Sequence, residues 1–117
     1  MAFPGTYNFS YYRGDTYQFI IRPKNSNGSI FLLDSYAGSA VFKIANVRGS
    51  SGIQVSATAV VDTINHLVTC TISPTVGRSL SAGTTYVYDV QINNGASSVF
   101  TLLNGSITIT DDISGAV

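Results

Sequence analysis

"TTYVYDVQIN", residues 84–93, sets Tyr86, Tyr88, Val90 and Ile92 at every second position, with Val87, Asp89 and Gln91 between them. A period of two places one set of side chains on one face of a strand. Upstream, "SPTVGRSLSAG" (73–83) is the one helical candidate in the chain. Ser73 can cap, Pro74 suits the first helical position, and Val76 and Leu80 share a face four residues apart. Gly77 and the serines keep that helix to one or two turns. A short helix, a glycine at 83 and a tyrosine at 86 opening a strong strand resemble the corner of immunoglobulin-like sandwiches in architecture, with a spacing slightly different from the antibody pattern and without its disulfide and core tryptophan.

Turn signals divide the rest of the chain at intervals of about eight to twelve residues, the spacing of an all-β sandwich or barrel. Thr6–Tyr12 alternates Tyr7, Phe9 and Tyr11, and Asp15–Arg22 alternates Tyr17, Phe19 and Ile21 before Pro23. "PKNSNGS" (23–29) is a polar turn, and Ile30–Leu33 is a short apolar run suited to pairing with or plugging an edge. Ser39–Ala45 carries Ala40, Phe42 and Ile44 on one face. A glycine- and serine-rich loop (46–52) leads to Ile53–Val61, which turns at Thr63-Ile64-Asn65-His66 into Leu67–Ser73 as a hairpin. Asn94-Gly95 is a hairpin turn signal. Ser98–Leu103 and Ser106–Thr110 are expected as two strands separated by Asn104-Gly105. The expected fold is an all-β, immunoglobulin-like antiparallel sandwich of about seven to nine strands with one short helical turn. It occupies 1–117 as a single domain, with 1–5 as an N-terminal arm and 112–117 as a C-terminal tail.

Composition narrows the function. The chain is 44% hydrophobic and 10% charged, and all six acids are Asp. Helix surfaces draw on Glu and Lys; Ser, Thr, Asn, Gly and Tyr suit strands, turns and uncharged surfaces. The formal net charge is zero and the four Arg and two Lys stand singly, so no basic stripe faces nucleic acid. No apolar run reaches membrane-spanning length, and the N-terminus carries no secretory pattern. The expected setting is therefore a protein made in a cytoplasm, with neither a nucleic acid nor a membrane as partner.

Catalytic chemistry needs titratable groups that converge. His66 is the only histidine and is expected as a solvent-facing turn residue. Cys70 alternates with Val68 and Ile72 and reads as a small core residue. Asp111-Asp112 lacks the surrounding oxygen ligands of a calcium loop. The chain is expected to be no enzyme and to hold no cofactor, metal or catalytic residue. Arg13-Gly14-Asp15 matches an adhesion tripeptide, but its position favours a bend feeding the next strand, with Gly14 supplying the turn. The candidate interface residues are aromatic: Phe3, Tyr7, Tyr11, Tyr12 and Tyr36. Tyr11 and Tyr12 are adjacent, so on a strand they point to opposite faces.

Four pieces stand in order, "YRGDTYQFIIRPKNSNG", "AVFKIA", "SAGTTYVYDVQI" and "TLLNGSITITDDIS", and the likeness they carry runs over roughly residues 6–114. Together this sequence resembles the N-terminal β-sandwich domain of tailed-bacteriophage upper baseplate proteins and related stand-alone structural proteins. The resemblance implies a non-enzymatic virion protein that decorates the capsid or forms part of the tail or baseplate. Its implied partners are other phage virion proteins, with homo-oligomerisation in the assembled particle, and its implied location is the virion. An alternative reading is a carbohydrate- or host-surface-binding sandwich, which needs a platform of exposed Tyr or Phe, with Tyr11, Tyr12 and Tyr36 as the candidates.

Overall fold

A computed structural model describes residues 5–36, 38–46, 54–93 and 99–111. The described strands are β1 (Gly5–Thr6), β2 (Phe9–Tyr12), β3 (Tyr17–Ile21), β4 (Val41–Ala45), β5 (Gln54–Asp62), β6 (Leu67–Ile72), β7 (Thr85–Asn93) and β8 (Val99–Thr110). A single 3-10 turn spans Asp34–Tyr36, and helix α1 spans Pro74–Arg78. The protein is an all-β sandwich of immunoglobulin-like layout.

One sheet runs β1/β2–β8–β7–β4 and the other runs β6–β3, with β5 belonging to both. Gln54–Ala57 pair with β4, whereas Thr58–Asp62 pair with β6. Strand β5 therefore stitches the layers together through its own backbone. The pairings are antiparallel with one departure from the sequence reading: β1 and β2 run parallel to β8. The chain reaches β3 only after crossing to the other layer, so its first strands enter the sheet in the same direction as its last.

The corner before β7 forms as the sequence indicates. Ser73 caps α1, its Oγ accepting from the Val76 N–H at 3.2 Å, and Pro74 occupies the first turn. Gly83 takes a φ of 75°, a conformation that side chains disfavour. The Ser81 N–H donates to Tyr86 Oη at 2.9 Å, which fixes the corner tyrosine.

The C-terminal segment differs from expectation. It is one twelve-residue strand, not two strands around an Asn104-Gly105 turn. Val90 pairs with Leu103 but Gln91 pairs with Thr101, so Leu102 is an extra residue in a bulge. The bulge lets Leu102 and Leu103 both pack on the core and shifts the inward phase from even to odd positions. The pair Asn104-Gly105 reads as a turn in the sequence, and that is why one strand looks like two. Gly105 is needed for close approach, because a Cβ there would overlap the Tyr7 carbonyl.

Phe42, Cys70, Tyr88, Val90 and Ile107 are buried in one cluster, with Phe19 and Ile21 packed against it. Leu33 is also fully buried and Phe31 packs against the core, whereas Ile30 and Leu32 are exposed, so the 30–33 run plugs the sandwich with alternate residues. Burial pushes the Cys70 thiol up to about 12, as befits a core residue and not a nucleophile. Among the described residues, no buried side-chain polar atom lacks a hydrogen-bond partner. The Asn94-Gly95 turn, the 47–53 segment, Phe3 and the 112–117 tail lie outside the described residues.

A candidate docking surface

The two open edges of the sandwich meet along one flank, β1/β2 on one sheet and β3 on the other. No strand bridges the layers there among the described residues; rings do. Phe9 stacks on Tyr17 with centroids 4.7 Å apart and on Tyr7 at 5.1 Å. Phe19 meets Phe42 edge-on at 5.5 Å, and Phe42 meets Tyr88 at 5.6 Å. Edge-on and offset geometries suit the ring quadrupole. The phenols add polar ties: Tyr7 and Tyr17 share a 2.7 Å hydrogen bond, and Tyr88 Oη donates to the Tyr7 carbonyl at 2.6 Å. Burial, and then the bond to Tyr7, raise the Tyr17 phenol to about 12. Burial likewise raises the Tyr88 phenol.

Between β1 and β2 the strand is interrupted at Tyr7-Asn8. The Tyr7 N–H donates to Asn104 O at 2.9 Å, and Asn8 Oδ1 accepts from the Ser106 N–H at 2.9 Å. A side chain thus completes the parallel ladder where the main chain cannot. Beside this break lies an open groove of about 450 Å³, lined by Tyr7 and Leu103 on one rim and Phe19, Ile20, Ile21 and Arg22 on the other.

Of the candidate interface residues, Tyr7 alone lies on this groove. It is 38% exposed, while Phe3 falls outside the described residues. Tyr12 is exposed, as one of the adjacent pair had to be. Tyr11 corrects the sequence reading: it is 2% exposed, in the core. Its hydroxyl donates to the Asp15 carbonyl and lies over Gly77, where a Cβ would collide with it. Tyr36 is half-buried against Phe31 and Phe100. Tyr12 pairs with Thr110, ten residues along β8 from Phe100, so Tyr12 and Tyr36 sit roughly 30 Å apart along the strand. The aromatic platform required for the carbohydrate reading is therefore not assembled from Tyr11, Tyr12 and Tyr36.

Arg13-Gly14-Asp15 is the β2–β3 bend, as expected. Gly14 has a φ of 93°, and the Asp15 N–H closes on Tyr12 O at 3.1 Å. The Arg13 guanidinium is committed to structure, donating from Nε to Leu80 O and from Nη2 to Arg78 O, each at 2.8 Å. These carbonyls sit at the end of α1, where a cation is favoured.

His66 is a second correction, since it is not simply solvent-facing. It is half-buried with a φ of 54°, and its Nδ1 accepts from the Leu33 N–H at 3.0 Å. It locks the plug to the β5–β6 turn. In that turn the Asp62 carboxylate accepts from Asn65 and Ile64 N–H groups, which hold its pKa below the usual value. Among the described residues no group of three or more His, Cys, Asp or Glu side chains gathers as metal ligands; Asp111 is exposed and Asp112 lies outside them.

No protein-family model and no curated protein matches the chain. Among solved structures, the chain is similar to a family 123 glycoside hydrolase from Clostridium perfringens described for glycolipid glycan hydrolysis. The match is 12% identical with a TM-score of 0.39. It covers 92% of this chain and only 23% of the hydrolase, which is too distant a likeness to bear on function.

Sequence reasoning missed the groove. The signal present was the uncharged run Tyr17–Ile21 with Asp15 before it and Arg22 after it. What a sequence cannot show is that, among the described residues, β3 has no neighbour on this side.

Proposed function

We propose that the chain is a non-enzymatic docking module of a tailed-phage virion, decorating the capsid or forming part of its tail or baseplate. The observation that carries the docking reading is the open flank: an uncharged edge strand and an apolar groove stand on a rigid bed of interlocked rings. The virion setting rests on the resemblance described above, whose four pieces fall on the β2–β3 bend, β3, β4, the Tyr86 corner, β7 and β8. The polar side chains that could have suggested chemistry, Arg13 and His66, are engaged in holding turns in place.

Quantitative mass spectrometry of purified virions tests the proposal. The expected result is a fixed copy number per particle, tied to capsid geometry for a head decoration or to threefold or sixfold symmetry for a tail or baseplate subunit. Absence from purified particles overturns the virion assignment. Deleting residues 1–4, which lead into β1 beside the groove, is expected to lower the copy number while the melting curve is retained.

A further inference from the structure

We propose that β3 pairs edge to edge, antiparallel, with β3 of a second copy of this chain. Natural sheets guard their edges with charges, prolines, bulges or covering segments. Within Tyr17–Ile21 there is no charge and no proline, and among the described residues β3 pairs with β6 alone. Its outer face is uncharged as well, carrying Gln18 and Ile20: Ile20 is 45% exposed and, across Thr69 of β6, lies in register with Val60, itself 57% exposed. The other open edge is of a different kind, because β1/β2 is broken at Tyr7-Asn8.

The charges flanking β3 select the partner. Exposed Asp15 precedes the strand, and exposed Arg22 and Lys24 follow it. Arg13 does not cancel Asp15 across this edge, since its guanidinium is held by the Arg78 and Leu80 carbonyls. A strand that is acidic at its start and basic at its end complements itself only when antiparallel. A twofold axis through Phe19 sets Phe19 opposite Phe19, Gln18 opposite Ile20 and Tyr17 opposite Ile21 of the second copy. Each Asp15 then lies beside the second copy's Arg22 and Lys24. Residues facing each other under such an axis keep the same sheet face, so both apolar grooves turn toward the same seam. Five residues make a small interface, so the association is reversible and concentration-dependent.

This pairing rests on reading the open flank as a docking surface. Its test uses the purified full chain alone, so a failure of the virion assignment would leave it standing. Sedimentation from about 10 μM to about 1 mM should show a monomer–dimer equilibrium, a range chosen for the weak affinity of a small interface. Ile20→Lys, which places a charge in an already exposed position, should stay monomeric with an unchanged melting curve. Asp15→Lys alone and Arg22→Asp/Lys24→Asp alone should each dimerise at least tenfold more weakly at low salt, since each opposes like charges. Mixing those two variants should restore association as a heterodimer, because both junctions become complementary again. A native chain that stays monomeric throughout overturns the proposal, and so does an Ile20→Lys variant that dimerises like the native chain. If the mixed variants fail to associate while the native chain dimerises, a different surface is responsible and this pairing is wrong.

Discussion

The two flanks of the sandwich are closed by different physics. On one, β5 hydrogen-bonds to β4 with its first half and to β6 with its second, so the backbone joins the layers. The side chains pointing inward there are small, Ala57, Ala59, Val55 and Val61. On the other flank no strand crosses among the described residues, and Tyr7, Phe9, Tyr17 and Phe19 fill the gap with rings and phenol hydrogen bonds. Where the main chain closes a sandwich, side chains can be small; where it does not, they must be large. The ring-closed flank is also the one with an open edge and a groove, so stability and docking share the same residues.

The core common to both flanks sets the upper limit of any perturbation. Val90 is fully buried, and Val90→Asp introduces an unpaired charge costing several kcal/mol against a total of about 5–15 kcal/mol. The variant is expected to be unfolded by circular dichroism; a cooperative melt at the native temperature would mean that β7 presents its other face.

Gly105→Ala strikes the ring-closed flank selectively. The new methyl would overlap the Tyr7 carbonyl, so β1 must lift from β8. A loss of about 3 kcal/mol in denaturant unfolding is expected, the upper end of overpacking costs. Hydrogen exchange should open at β1 and β2 and remain slow in β5 and β6. Uniform loosening would show that the flanks are not separable. Tyr88→Phe removes one hydroxyl and leaves the Tyr7 carbonyl without that donor, for an expected loss of about 1–3 kcal/mol.

Alkali should act through the ring-closed flank and the thiol beneath it. Tyr11, Tyr17, Tyr88 and Cys70 all have folded pKa values raised by burial above the ordinary phenol or thiol value. The unfolded chain releases these protons first, so stability is fully present below about pH 9 and falls as pH rises toward 12. The melting temperature should hold steady near neutrality and drop by several degrees above pH 10, with tyrosinate absorbance rising together with unfolding. Tyrosinate appearing in a still-folded protein would mean the phenols are more open to water than the packing indicates. The smallest effect belongs to the backbone-closed flank: Ala59→Gly should cost about 1 kcal/mol or less, because β5 is held by its ladder. A larger loss by calorimetry would break the contrast between the flanks.

The sequence by itself determined the strands and most of the core. Alternation in 84–93 identified β7 and its inward face, and Ser73-Pro74, Gly83 and Tyr86 identified the capped helix and the corner. These signals are local: a period, a cap and a turn residue each act within a few positions. Only the tertiary structure decided the rest. Asn104-Gly105 reads locally as a turn, yet the assembled sheet carries β8 through it, with a bulge at Leu102 that reverses the phase of its side chains. Tyr11 shares the alternation of Tyr7 and Phe9, but it is the layer lying over β2 that buries it and leaves Tyr12, on the other face, exposed. Arg13 and His66 found partners 67 and 33 residues away, at distances along the chain that no local pattern encodes. The open edge of β3 is of the same kind, since a strand's missing neighbour is a property of the assembled sheet and leaves no mark on the strand.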